Sequence, residues 1–480
     1  MSARSLRLLA LSCCTALAAC SMAPHYTRPD APVPLRFDTA GSAPSAAGAA
    51  LALPDWREVF LDPRLRQVIA LGLDNNRDLR VAMLAIDKAR AQYRIQRAAL
   101  APALDATASS SRQRTSASAS DSGQVQIDSS DTVQVGISSW ELDLFGRVRS
   151  LKDEALETWL ASAETQRSVR LSLIGQIADA WLAVGADQQS LALAQQTLDS
   201  QEQTLRRSRD QHANGIGSGL DLAQIQSSVE AARVAVARAA TQLAQARDAL
   251  QLVVGAPVDA ALLAGTDAFD GSVALAPVPA QLDAAVLLQR PDVLAAEHAL
   301  KAANADIGAA RAAFFPAVSL TASSGRSSDA LSTLFAAGSR TWAFVPSIAL
   351  PIFHAGALKA SLDVSRIGKN IAVAQYEKAI QSAFSDVADA LAQRDHLDAQ
   401  LSAQRALVEA VRRSHTLAEA RYRAGVDGYL QVLDAQRSLY AAQQDLIALR
   451  LQDDSNRVAL YTVLGGGADA RATAPAAASR

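Results

Sequence analysis

Two long stretches of the chain, 147–213 and 356–423, carry apolar residues at helical spacing. In the first stretch they recur three or four positions apart along one face, at Leu171, Ile174, Ala178, Trp181 and Leu182. Neither stretch contains proline, which costs about 3 kcal/mol inside a helix. At a rise of 1.5 Å per residue, about 65 residues extend roughly 100 Å. The pattern therefore predicts long, coiled-coil-like helices and argues against one compact core.

A second pattern, the alternation of apolar and polar residues, precedes each long helix. Val133, Val135 and Ile137 alternate with polar or small residues, and Val318 and Leu320 do so in the second half of the chain. Such alternation indicates strands that have one apolar face. The predicted β-hairpins and their loops are 103–141 with a loop at 117–130, and 317–351 with a loop at 324–340.

The same order of elements occurs twice. The sequence RAALAPAL, which begins at Arg97, returns as RAAFFPAV from Arg311, and the glycine turns after the two long helices are also about 210 residues apart. Each copy reads helix, strand, strand, long helix, turn and long return helix. The predicted domains are a signal peptide 1–19, an extended N-terminal segment 20–62, a first repeat 63–255 with a helical hairpin 147–254, a connector 256–284, a second repeat 285–465 with a helical hairpin 356–464, and a disordered tail 466–480.

Composition narrows the function. The chain has 480 residues, of which only 5% are aromatic, and a net charge of −2, so no basic surface for nucleic acid is expected. Its three cysteines all lie within the first 20 residues, which leaves no thiol in the rest of the chain for a disulfide or a thiolate metal site. The histidines lack metal-binding spacing, and there is no nucleophile elbow or phosphate loop. We expect no metal, no cofactor and no enzymatic activity.

The N-terminus is typical of an exported lipoprotein. Arg4 and Arg7 precede an uncharged run that ends at Ala19 and is too short to span a bilayer. The run closes in Leu-Ala-Ala-Cys, which resembles a bacterial lipobox and makes Cys20 the acylated residue of an outer-membrane anchor. The alternative is a plain secretory leader that happens to precede a cysteine. Ser21 is not the aspartate that is linked to retention in the inner membrane.

Several motifs together carry a resemblance to one family. They are RYRAGVDGYL at Arg421–Leu430 with LDAQR at Leu433–Arg437, LQRPDV at Leu288–Val293, RAAFFP at Arg311–Pro316, and Tyr26 with Arg28-Pro29 near the mature start. With the lipobox and the order of elements, the chain resembles the outer-membrane factor (TolC-like) family of Gram-negative export systems. Within that family it is similar to the lipoprotein branch of RND-type multidrug efflux channels.

The resemblance implies a fold class and partners. It implies a mixed α+β membrane protein that forms a homotrimer, in which each protomer contributes four strands to a 12-stranded transmembrane β-barrel. Closure matters because an open sheet edge cannot lie in lipid. The long helical hairpins would form a hollow periplasmic barrel with the glycine turns at its far tip. A periplasmic adaptor (membrane fusion) protein and an inner-membrane pump would open this passive exit duct for drugs or other small molecules.

The start of the last helix contains the predicted pore gate. Leu430, Asp434 and Arg437 are spaced i, i+4 and i+7, so they share one helix face. The resemblance places the constriction at Leu430 and Asp434, and three copies would give rings of leucine and of negative charge. The alternative interpretation of Asp434 is a solvated carboxylate that pairs with Arg437.

The turns themselves contain further candidates. We expect Tyr422 and Arg423 to reach Asp210 or Asp221 on the neighbouring hairpin and to hold the tip closed. The glycines are expected to supply positive φ at the helix ends. The predicted adaptor-facing residues are Gly215, Gly217, Gly219, Gly425, Asp427 and Gly428.

A different class of function has to be weighed against the channel. The strongest alternative is a periplasmic coiled-coil scaffold or adaptor without a membrane barrel. The two alternating hairpins, each flanked by helices, favour the channel, because a purely helical scaffold has no use for them.

Overall fold

The computed structural model describes residues 21–37, 54–269, 271, 273 and 283–466. The predicted signal peptide, Cys20 and nearly all of the predicted tail lie outside the described residues. The helices are α1 (Trp56–Val59), α2 (Pro63–Asn75), α3 (Arg77–Ala98), α4 (Arg147–Ala213), α5 (Gly219–Val254), α6 (Pro291–Ala312), α7 (Ala357–Arg423) and α8 (Tyr429–Val463). The strands are β1 (Asp105–Thr115), β2 (Gln126–Leu142), β3 (Ala317–Ser328) and β4 (Arg340–Ala349).

The chain divides into two compact units, and the longest helices contribute to both. The first unit contains the strands, and its described residues are 21–30, Leu84–Ala163 and Ala295–Glu377. The described residues of the second unit are 31–37, 54–83, 164–269, 271, 273, 283–294 and 378–466. The two longest helices, α4 and α7, each have 67 residues, which corresponds to roughly 100 Å at 1.5 Å per residue.

The strands of the first unit form one antiparallel sheet in the order β1-β2-β3-β4. Within the chain, β1 and β4 are its edges. A β-bulge interrupts the pairing of β2 with β3 between Ile137 and Trp140, and Ser139 there has a φ of 52°. Such a bulge bends a strand and increases its twist.

The predicted loops of both hairpins were too long. β2 begins at Gln126, and β3 continues to Ser328, so residues 126–130 and 324–328 are strand. Apart from Ile127 these segments are polar or glycine, and the alternation rule did not detect them. Their backbone groups nevertheless pair with the neighbouring strand, for example Ser130 with Ser111.

One face of β4 is apolar and exposed in the single chain. Trp342, Phe344 and Ile348 share this face and are exposed. Pro346 lies on the same strand opposite Leu320. A proline cannot donate to a ladder, and it is tolerated here because β4 is an edge strand of the chain.

The second unit has a continuous apolar core around α2 and the middle of α4. Trp181, fully buried on α4, donates its indole N–H to the carbonyl of Leu262 at 2.9 Å. Among the described residues, α4 is the one helix long and apolar enough to cross a membrane by composition, but 56% of its apolar window is buried within the protein. Such burial is typical of a core helix.

The N-terminal segment 20–62, predicted to be extended, is helical in part. Asp55 accepts a hydrogen bond from the backbone N–H of Arg57 at 2.8 Å and starts the short helix α1. Trp56, Val59 and Phe60 then join the core of the second unit. The Pro, Ala and Ser content of the whole segment concealed this apolar cluster.

Candidate functional site

The candidate site lies in the second unit, at the turns between α4 and α5 and between α7 and α8. Both turns have the same construction. Gly215 and Gly425 have φ values of 75° and 71°, and the N–H of each following residue, Ile216 or Val426, donates to a carbonyl five residues earlier at 3.0 Å. These bonds define a Schellman motif, which requires a left-handed residue at the helix end. We call the two turns and the helix ends beside them the tip.

The other predicted turn glycines do not have positive φ, so that expectation was wrong for them. Gly428 has a φ of −76° and is the N-cap of α8, while Gly219 is the first residue of α5. An N-cap needs an extended conformation, not a left-handed one. Gly217 has a different reason to be glycine, because a Cβ there would lie 2.8 Å from the backbone nitrogen of His212.

The second turn is closed by an ion pair that the sequence did not reveal. Arg421 binds Asp427 through both carboxylate oxygens, with Nη2 to Oδ1 at 3.0 Å. These hydrogen bonds lower the pKa of Asp427 below its usual value. The two residues lie on either side of the turn, six positions apart, and no helical pattern predicts contact at that spacing. Asp427, predicted to face an adaptor, is therefore held by its own turn.

Buried side chains at the tip join the two helical hairpins. Leu205, Ile225 and Val229 from the first hairpin pack with Tyr429, Val432 and Leu433 from the second. The ring of Tyr422 stands edge-on to that of Tyr429, with centroids 5.4 Å apart. One face of the first turns of α8 is thus committed to packing.

The contacts predicted for Tyr422 and Arg423 with Asp210 or Asp221 stay a prediction. Burial, and then the charge of Asp221, raise the pKa of Tyr422. Arg423 pairs with Glu419 on its own helix at 2.7 Å. Neither Asp210 nor Asp221 forms an ion pair with Arg423 among the described residues.

A neighbouring, exposed face of α8 carries the predicted gate residues. Leu430 is 59% exposed, and Asp434 and Arg437 are exposed as well. Asp434 lines a groove of about 460 Å³ shared with α7, while Arg437 lines a separate pocket of about 140 Å³ shared with α4 and α5. The two form no ion pair in the described part of the chain, so the pairing alternative is not observed.

Two exposed apolar residues at the tip were missed. Ile216 and Val426 follow the left-handed glycines and are 78% and 60% exposed. In a Schellman motif this position often packs against the preceding helix, but here both side chains are left uncovered. Their equivalent places in the two repeats are the signal that would have identified them.

Two separate carboxylates in the second unit were also not foreseen. Burial raises the pKa of Asp454 to about 7, against the opposing charge of Arg457. Burial raises the pKa of Asp179 to about 6, although a hydrogen bond from Ser455 opposes this. Within the described ranges, no group of three or more His, Cys, Asp or Glu side chains is placed to hold a metal ion.

Comparison with known proteins identifies the family of the chain. The chain matches the outer membrane efflux protein family over residues 68–256 and 284–466, one match for each repeat. It is 48% identical over 455 residues to the toluene efflux pump outer membrane protein TtgC of Pseudomonas putida, covering 94% of this chain and 93% of TtgC.

Solved structures agree with this family. A membrane protein from Pseudomonas aeruginosa superposes with a TM-score of 0.86 and 41% identity, covering 93% of this chain and 100% of that chain. The open state of the Neisseria gonorrhoeae MtrE outer membrane channel superposes with a TM-score of 0.83 and 40% identity, covering 93% and 98%. The predicted fold class, with its duplicated long hairpins and four strands in each chain, is confirmed, and the relatives support the channel over the scaffold without a membrane barrel. The chain belongs to the outer membrane efflux protein family and is an outer-membrane channel of an efflux system.

Proposed function

We propose that three copies of this chain form the passive exit duct of a tripartite pump and that its tip is the gate. The arrangement of α8 carries this proposal. Its first turns bury Tyr429, Val432 and Leu433 against the first hairpin, while Leu430 and Asp434 remain exposed on a neighbouring face. Around a threefold axis, exposed groups on this face would form rings of leucine and of carboxylate that narrow a pore and attract cations.

The sheet supports the trimer. Within one chain, β1 and β4 are edges whose outer backbone groups lack a strand partner, and unpaired edges cannot lie in hydrocarbon. Pairing of β4 with β1 of the next copy would close twelve strands. The exposed apolar face of Trp342, Phe344 and Ile348 would then meet lipid.

The tip also supports a docking role. Ile216 and Val426 are exposed apolar side chains on rigid Schellman turns, at places where a periplasmic adaptor would meet the duct. The adaptor and an inner-membrane pump would supply the force that separates the hairpins. The relative TtgC is the outer membrane protein of a toluene efflux pump, and toluene is a small apolar compound. For this chain we propose drugs or other small molecules as cargo.

An N-terminal lipid anchor completes the proposal. Cys20 follows Leu-Ala-Ala in the sequence, and its thiol would carry the acyl chains that hold the mature N-terminus in the outer membrane. A lipid anchor adds membrane affinity but does not span the bilayer, so the anchor would assist the barrel and not replace it.

The gate is tested in cells that lack the native protein. Leu430→Ala combined with Asp434→Asn should still restore drug export, but it should also admit a large antibiotic that the outer membrane normally excludes, lowering its inhibitory concentration at least fourfold. Val234→Ala is the matched control, because Val234 is also 59% exposed but lies on α5. A gate variant that is as resistant as the control would contradict the assignment.

A further inference from the structure

The first described residues of the chain lie along α6 in the first unit. We call residues 22–28 the strap. Asn304 donates its side-chain N–H to the carbonyl of Pro24 at 2.8 Å, and Arg311 donates to the carbonyl of Met22 at 3.2 Å. Both donors belong to α6, so the helix recognises the backbone of the strap as well as its side chains.

Gly308 allows this close approach. A Cβ at this position would lie 2.8 Å from the backbone nitrogen of Ala23 and 2.6 Å from Oγ of Ser150. Any side chain would therefore push the strap off the helix or displace a neighbouring helix. Gly308 lies four residues after Asn304 and three before Arg311, so the three residues share one face of α6.

Glu297 is the strongest contact of the strap. Arg28 donates to its Oε2 at 2.6 Å and the Tyr26 hydroxyl donates to its Oε1 at 3.2 Å, while Lys301 reaches the same carboxylate at 3.0 Å. The Glu297 side chain is only 4% exposed. Of these three donors, the strap supplies two, and Lys301 on α6 supplies the third.

The electrostatics of this contact favour a docked strap. Burial acts to raise the pKa of Glu297, but the hydrogen bonds from Arg28 and Lys301 outweigh it and hold the pKa below its usual value. Burial, followed by the charge of Glu297, raises the pKa of Tyr26, so the hydroxyl remains a donor. A buried carboxylate that loses two of its donors is strongly unfavourable, so Glu297 stabilises the strap in place.

The strap and the part of α6 that it contacts have similar lengths. The strap runs antiparallel to α6, because Met22 meets Arg311 whereas Tyr26 and Arg28 meet Glu297. The six steps from residue 22 to residue 28 cover about 20 Å in an extended chain at roughly 3.3 Å each, and the fourteen steps from residue 297 to residue 311 rise about 21 Å along α6. The start of the strap is fixed near the end of α6, five residues before β3 begins at Ala317.

We propose that Glu297 is a positioning residue that ties the lipid-bearing N-terminus to α6. It fixes Met22, two residues after the proposed acylated cysteine, near the end of α6 that leads into β3. The proposal rests on the proposed acylation of Cys20, which precedes Met22 by two residues. It also assigns a role to the Tyr26-x-Arg28 motif of the mature start, which supplies the matching half of the contact.

The test is proteolysis of the purified, full-length protein. Chymotrypsin cuts after tyrosine, and cleavage at Tyr26 releases a peptide that begins at Cys20. We expect slow cleavage in the wild type, at least tenfold faster cleavage in Glu297→Ala, and an intermediate rate in Glu297→Gln, which keeps an acceptor but loses the charge. Glu157→Ala is the matched control, because it removes a carboxylate that binds His298 at 2.6 Å and lies outside the contacts of the strap.

A second variant and a mass measurement separate the possible failures. Arg28→Ala alters only the strap and should match Glu297→Ala, so the test survives if the helix variant fails to fold. A cleavage rate at Tyr26 within twofold of the wild type in both variants would overturn the strap contact. Mass spectrometry of the released peptide reports acylation separately. A peptide without acyl chains would overturn the anchoring role even if cleavage accelerates.

Discussion

At the scale of the residue, the contacts of a side chain depend more on the neighbouring helices than on residue spacing along its own helix. Asp434 and Arg437 are three residues apart, and that spacing alone suggests a pair worth a few tenths of a kcal/mol. In the structure Asp434 lines a groove with α7, whereas Arg437 lines a pocket with α4 and α5. The sequence could identify an exposed polar face but not the helices that each side chain meets. The bond from Arg421 to Asp427 was missed for a different reason, because it crosses a turn at a spacing of six residues that no helical pattern predicts.

Asp454 provides a prediction at this scale. Burial raises the pKa of Asp454 from 3.8 to about 7, so between about pH 4 and pH 7 the native state retains a proton that the unfolded chain has released. The free energy of unfolding due to this group therefore falls as pH rises through that window. The Asp454→Asn variant cannot ionise at this position. Its free energy of unfolding minus that of the wild type should therefore be roughly 2–3 kcal/mol larger at pH 8 than at pH 5.

Denaturant unfolding of the detergent-solubilised protein at the two pH values measures this difference. Asp445→Asn, an exposed carboxylate on the same helix, is the control and should show no such dependence. Equal stability changes for Asp454→Asn at both pH values would show that the group is not buried as a neutral acid.

At the scale of the element, helices were easier to predict than strands. The absence of proline and the apolar stripe placed α4 and α7 within one residue of their observed bounds. Strand β2 begins earlier than predicted, at Gln126. Its first residues, mostly polar, owe their conformation to pairing with β1. Pairing between segments distant in sequence is not visible in the pattern of either segment alone.

The two helix ends at the tip lead to a second prediction. Gly425 is left-handed, and a side chain in that conformation costs about 1 kcal/mol. Gly425→Ala should therefore accelerate hydrogen exchange about fivefold in the peptide Arg421–Leu430. Gly368→Ala is the matched substitution inside α7, where a Cβ would meet open space. It should slow local exchange, because alanine favours a helix by roughly 0.5–1 kcal/mol. Faster exchange in both variants would contradict the role of the left-handed turn.

At the scale of the whole molecule, the duplication was the most informative feature. The family matches the chain in two segments, and each contains one pair of strands and one pair of long helices. The two copies differ at the tip, where Leu220 and Leu430 occupy equivalent exposed places, but only the second helix carries Asp434 and Arg437. The sequence of one chain does not determine how many copies assemble. It is inferred from the open edges of the sheet and from family resemblance.

Single-channel recording in planar bilayers tests the central claim, a channel gated by the exposed face of α8, most directly. The wild-type protein should give small, cation-preferring conductance steps, because rings of Asp434 attract cations and rings of Leu430 narrow the pore. Leu430→Ala with Asp434→Asn should give larger steps and a weaker cation preference, while Val234→Ala should behave as the wild type. Folded, membrane-inserted protein that conducts no ions, or a double variant with unchanged steps and selectivity, would contradict the account.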